Sequence, residues 1–152
     1  PVCSGQNKEK MKTYIPKIDP NDRNWFVVDL EGATLGRVAV KVADILRGKN
    51  KPIFTPHLDA GDHVIAVNAG GLTVSGNKDL TKAYYHHSGY PGGLKKTSIA
   101  KLRAERPEEI FRRAVRRMLP KNRLARQQFT KLHVYAGAEH PHMAQKPQKL
   151  EL

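Results

Sequence analysis

Hydrophobic residues recur along this chain with two different periods, and the switching between them outlines an α/β fold. WFVVD at 25–29 is a short apolar run rich in β-forming side chains and predicts a buried strand. EGAT turns the chain, and Thr34 is placed to cap a helix. Its apolar positions Leu35, Val38, Ala39, Val42, Ile45 and Leu46 follow the 3.6-residue period, with Gly48 placed to close it. Arg37 and Lys41 fall on the other face of that helix. The stretch 49–62, broken by Pro52 and Pro56, reads as a loop, and HVIAVNA at 63–69 as a second buried strand ended by NAGG.

Further on, LTVSG at 72–76 predicts a short strand and the alternation in TKAYYHH at 81–87 another, while the glycine-rich 88–96 reads as irregular. A short helix is expected over 98–105. Pro107 suits a first helical position, with Glu108 and Glu109 behind it complementing the helix dipole, and Pro120 stops that helix near Leu119. Asn122 can cap a helix over 123–130, and LHVYAG at 132–137 closes the pattern as a strand. Residues 1–24 and 138–152 show no apolar period. The expected organisation is thus an arm at 1–24, one domain at 25–137 and a polar tail at 138–152. Strand–helix–strand near the start argues for a parallel sheet, with extra helices gathered in the second half.

Charge changes this picture most. Among 152 residues there are 27 Lys+Arg against 14 Asp+Glu, a formal charge of +13, which points to a polyanionic partner. The excess is concentrated: 95–131 holds thirteen basic and three acidic residues, and RRAVRRMLPKNRLARQQF at 112–129 holds seven basic and none acidic. At about 100° per residue, Arg112, Arg113, Arg116 and Arg117 share an arc of roughly 140°, opposite Ile110, Phe111, Ala114, Val115, Met118 and Leu119. One face of this helix is apolar and the other cationic. Like charges at i,i+4 cost roughly 0.2–0.5 kcal/mol per pair, and Glu108 and Glu109 serve only the first half. The dipole at a helix C-terminus accounts for one or two basic residues there. Seven call for an external counter-charge, and the arginine fork suits phosphate.

KAYYHHSGYPGGLKK at 82–96 interleaves aromatic and basic side chains with glycines, a composition suited to unpaired RNA: rings stack on bases, lysines meet phosphates, and glycines allow close approach. Lys82, Tyr84, His86, His87, Tyr90, Lys95 and Lys96 are its candidate contacts.

Other chemistry is poorly specified. Cys3 is the single cysteine, which excludes an internal disulfide and a cysteine-based zinc site and fits a reducing compartment. The seven histidines include HH at 86–87 and HPH at 140–142, yet neither matches a metal-ligand spacing. His57, Asp59 and Asp62 lie close together in a loop without a defined motif. The turn at 29–37 resembles a nucleotide-binding turn but lacks both G-x-G-x-x-G and G-K-[ST], so a nucleotide-dependent enzyme is the weaker alternative. No apolar run approaches the ~20 residues of a membrane span, and the polar N-terminal stretch does not read as a signal peptide.

Several long segments, taken in order, resemble one known family. VVDLEGATLGRVAVKVADILRGKNKPIFTPHLDAGDHVIAVNAGGLTVSGNK, YYHHSGYPGGLK, RRMLPKNRLARQ and KLHVYAGAEHPHMAQKPQ are similar to the bacterial-type family of large-subunit ribosomal protein thirteen, from about Met11 onward. The resemblance implies a three-layer α/β/α fold around a four-stranded, mostly parallel sheet. It implies a structural, non-enzymatic part in the large ribosomal subunit, binding to large-subunit rRNA, an early role in assembly and contacts with neighbouring ribosomal proteins. No cofactor, metal, membrane or small-molecule substrate is implied. The expected location is the ribosome, in the cytoplasm or in an organellar matrix or stroma. By motif, the implied RNA contacts are Lys78, the YYHHSGYPGG loop, Lys121, Arg126, His140 and His142. The helical wheel adds Arg112, Arg113, Arg116 and Arg117, and the local charge pattern adds Arg37 and Arg123. A regulatory RNA partner outside the ribosome would use the same surface.

Overall fold

A computed structural model describes residues 16–17 and 23–150. The first strand, β1 (Trp25–Asp29), leads through a tight turn into α1 (Leu35–Arg47). After the loop come β2 (His63–Val67), the one-turn helix α2 (Lys78–Thr81), and the strands β3 (Ala83–His87) and β4 (Leu94–Ser98). The second half holds α3 (Ile99–Glu105), α4 (Pro107–Met118), α5 (Arg123–Thr130), β5 (Leu132–Val134) and β6 (Gln148–Lys149). Four strands make one parallel sheet in the order β5-β2-β1-β6, and β3 and β4 form a separate antiparallel hairpin. With its packed helices this is consistent with the three-layer α/β arrangement expected. Among the described residues no helix is long and apolar enough to cross a membrane.

Register explains the core. Phe26 pairs with Val64, Val28 with Ala66, and Val64 with Leu132, so these side chains share one sheet face. That face packs on Val38, Val42 and Leu46 of α1 and on Ile110, Phe111 and Val115 of α4. Phe111 is fully buried, and deleting such a ring costs about 3–5 kcal/mol. The helix ends are set locally. Gly48 takes the left-handed conformation at φ 77° to close α1, and the side-chain oxygens of Ser98 and Asn122 accept from the backbone of Lys101 and Ala125.

The loop after α1 is a structural clamp. Asp62 is buried and receives Lys51 at 2.6 Å and the backbone N–H of Asn24 at 3.0 Å. Lys131, also buried, donates to Asp59 at 2.6 Å and to the Gly61 carbonyl at 2.9 Å. Burial draws the Lys131 pKa down, against the pull of Asp59. The two aspartates of DAGD are therefore engaged in holding the loop to the body.

Four local expectations are corrected. Residues 72–76 form no strand; Thr73 makes only an isolated bridge to Thr34. Thr34 starts α1 but its hydroxyl caps nothing; instead the Leu35 N–H donates to the Thr73 carbonyl. The glycine-rich segment is irregular only over 88–93, because Leu94–Ser98 pair with β3. The polar tail supplies the fourth strand: β6 pairs with β1, and the Leu150 N–H donates to the Val27 carbonyl at 2.8 Å.

Candidate nucleic-acid interface

α4 organises the site because its apolar face is committed to the core. Ile110, Phe111 and Val115 are buried, which turns Arg112, Arg116 and Arg117 outward and leaves Arg113 at the edge. Glu109 takes both nearby arginines, at 3.2 Å from Arg113 and 3.9 Å from Arg112. Arg116 and Arg117 meet no carboxylate among the described residues, and neither do Lys121, Arg123 and Arg126.

Aromatic rings hold several of these cations in place. Tyr84 lies beneath Arg113 and Arg117, whose guanidinium carbons stand 5.1 and 5.3 Å from its ring centroid, and beneath the Lys82 ammonium at 5.7 Å. Arg112 stands 5.8 Å from the Phe129 centroid. Tyr84 is only 5% exposed, so its ring is not open to stack on a base, contrary to the expectation from the loop composition. Burial raises its phenol pKa despite the nearby arginines. Its place in the structure is to order the arginines.

Two cavities flank α4. One, of about 380 Å³, is lined by Arg116, Lys121 and Arg126 with Phe129 and Ala125. The other, of about 510 Å³, gathers Arg37 from α1, Lys78 from α2, Lys82 just after it and Arg117 from α4. The first turn of α1 also lines this cavity; it has no acidic residue and no side-chain cap, so its dipole adds positive potential.

The hairpin presents a second surface. Cross-strand register puts His86 beside Lys95 on the face of Tyr84, and Tyr85 beside Lys96 and His87 beside Leu94 on the opposite face. His86, His87, Tyr90, Lys95 and Lys96 are exposed. Tyr85, within the YYHHSGYPGG motif, and Leu94, which was not singled out from the sequence, are 61% and 60% exposed and belong to the same surface. Alternation alone places Tyr85 opposite Tyr84; Leu94 gave no signal, because its strand was not legible.

His140 and His142 lie elsewhere, in a stack over the sheet face opposite α1. Trp25 stacks on His63 at 4.2 Å and on His133 at 5.6 Å, and His142 tilts over His133 at 4.6 Å while its Nε2 meets the Tyr135 hydroxyl at 2.8 Å. Burial pulls the His63 pKa down to about 4 and lowers that of His133. The two tail histidines are half-buried, as are Trp25, His63 and His133 of this stack. Among the described residues no three His, Cys, Asp or Glu side chains are grouped to hold a metal ion.

Residues 23–141 match the family model described as ribosomal protein L13. The relatives include large ribosomal subunit protein uL13 of Alcanivorax borkumensis, 55% identical over 93% of this chain and 100% of the relative. The uL13 of Symbiobacterium thermophilum is 57% identical over 93% and 99%. That of a Geobacillus species is 56% identical over 92% and 97%. A family model spanning most of the folded chain, with relatives matched along nearly their whole length, means that this chain belongs to the ribosomal protein L13 family.

Proposed function

We propose that the chain binds large-subunit rRNA through the cationic face of α4 and α5 and the β3–β4 hairpin, and that this binding supports early assembly of the subunit. Its family is one of structural ribosomal proteins, not of enzymes, and its relatives are proteins of the large subunit. The observation that carries the finer reading is the run Arg116, Arg117, Lys121, Arg123 and Arg126. Among the described residues none of these cations has a carboxylate partner. A folded protein that leaves five clustered cations unneutralised is poised for an external polyanion. Phosphate contacts would position the chain, and the exposed aromatic and histidine side chains of the hairpin would favour irregular RNA over plain duplex. Neighbouring large-subunit proteins complete the surroundings on this reading, and the cytoplasm is the expected compartment.

Filter binding to large-subunit rRNA across a salt series tests this. Neutralising about 6–10 phosphates predicts a loss of roughly 10³–10⁵ in affinity between 50 and 200 mM salt on the duplex scale, and less on single strands. Salt-independent binding would remove the reading.

A further inference from the structure

The cavity between α1, α2 and α4 asks for more than a phosphate. Arg37, Lys78, Lys82 and Arg117 converge on it, and none of them meets a carboxylate among the described residues. Among the described residues no acidic side chain lines it. Three of its four cations are held in place. Lys78 donates to Ser75 at 3.2 Å, and Lys82 and Arg117 rest on the Tyr84 ring. α2 is pinned by Asp79 to Arg103 at 3.2 Å, while Arg103 also donates to the Leu72 carbonyl at 3.1 Å. Such cations lose little freedom on binding.

The cavity also has an apolar lining that phosphate does not need. Val40, 49% exposed, and Met118, 38% exposed, are the partly uncovered apolar residues of α1 and α4, and both line it. At about 510 Å³ it falls within the roughly 300–1,000 Å³ of cavities that hold a small organic ligand. Cations beside exposed aliphatic side chains match a group with an anionic edge and a flat apolar body. A paired helix offers only its phosphates to a concave site, whereas an unstacked nucleotide offers phosphate and base together.

We propose that this cavity seats a single unstacked nucleotide of the bound RNA, its phosphate among Arg37, Lys78, Lys82 and Arg117 and its base against Val40 and Met118. The inference rests on the rRNA-binding reading and deepens it by naming what this part of the surface takes.

The test is ultraviolet cross-linking of the full chain to large-subunit rRNA with mass-spectrometric mapping, alongside binding by Met118→Trp and Val40→Trp. These substitutions enlarge side chains that line the cavity and leave the charge unchanged. Nucleotide adducts on peptides carrying Val40 or Met118 are expected, and each tryptophan variant should lose adducts there and roughly 10-fold or more in affinity with the salt slope retained. Arg37→Gln with Lys78→Gln should lower both affinity and slope. Should a tryptophan variant fail to melt cooperatively, adduct mapping on the unmodified chain decides alone. Normal rRNA binding with no adducts in the cavity, or with unaltered affinity of the folded tryptophan variants, overturns the nucleotide seat and spares the rRNA reading. Failure of the unmodified chain to bind rRNA overturns both.

Discussion

Arg117 lies over the ring of Tyr84, its guanidinium carbon 5.3 Å from the centroid, and so joins α4 to the base of the β3–β4 hairpin. The contact is one of three that cations make with this buried ring. Tyr84→Leu is expected to cost about 2–4 kcal/mol in a urea titration, from lost packing and lost cation–π attraction. Tyr84→Phe keeps the ring and is expected to lie within about 1 kcal/mol of the parent, since its hydroxyl makes no hydrogen bond among the described residues.

Reversing the charge of cations without a partner should separate binding from stability. Arg116→Glu with Arg126→Glu removes two exposed cations lining one cavity, neither paired with a carboxylate among the described residues. The melting temperature should shift by no more than a few degrees, whereas rRNA affinity should fall roughly 100-fold or more at moderate salt. Arg113→Glu is a poorer probe. It sets a carboxylate against Glu109, now 3.2 Å from the guanidinium, and removes a cation from Tyr84.

Stability should depend on acid through the imidazole stack. His63, packed on Trp25, has a pKa lowered to about 4, chiefly by burial and then by Lys131 and Arg23; Asp62 opposes them. Because the folded-state value lies below the unfolded one, the unfolded chain takes up the proton first. Stability is full above about pH 6.5 and falls as the pH drops from there toward about 4. His133, lowered first by burial and then by His142 and Arg112, acts in the same direction. Urea midpoints measured across that window should fall with pH, and His63→Phe should flatten the dependence.

Gly61 should tolerate no side chain. A Cβ there would lie 1.8 Å from the Leu46 carbonyl oxygen, a backbone atom that cannot step aside. Gly61→Ala is expected to cost at least about 3 kcal/mol, read by thermal melting, because the loop bearing Asp59 and Asp62 must lift from the end of α1.

Removing the last strand should weaken the sheet. Truncation after residue 147 deletes Gln148, Lys149 and Leu150, which pair with β1 and place Leu150 against the core. A loss of about 1–3 kcal/mol in urea and faster amide exchange in β1 are expected.

The local rules of the chain were sufficient for β1, α1, β2, α4 and α5, since a period of apolar residues or a capping side chain lies within each segment itself. They also placed the cationic face of α4, because the buried half of a helix fixes where its other half points. Three features depended on partners distant in sequence. Gln148 and Lys149 are polar and become a strand only because β1 offers an open edge. Tyr84 reads as a stacking platform until Arg113, Arg117 and Lys82 are found over it. The cavity that joins Arg37, Lys78, Lys82 and Arg117 spans 81 positions of sequence and exists only once α1, α2 and α4 have packed. Periodicity records which side of an element is buried; what each exposed side chain then meets is decided by the packing of elements whose separation along the chain no local pattern encodes.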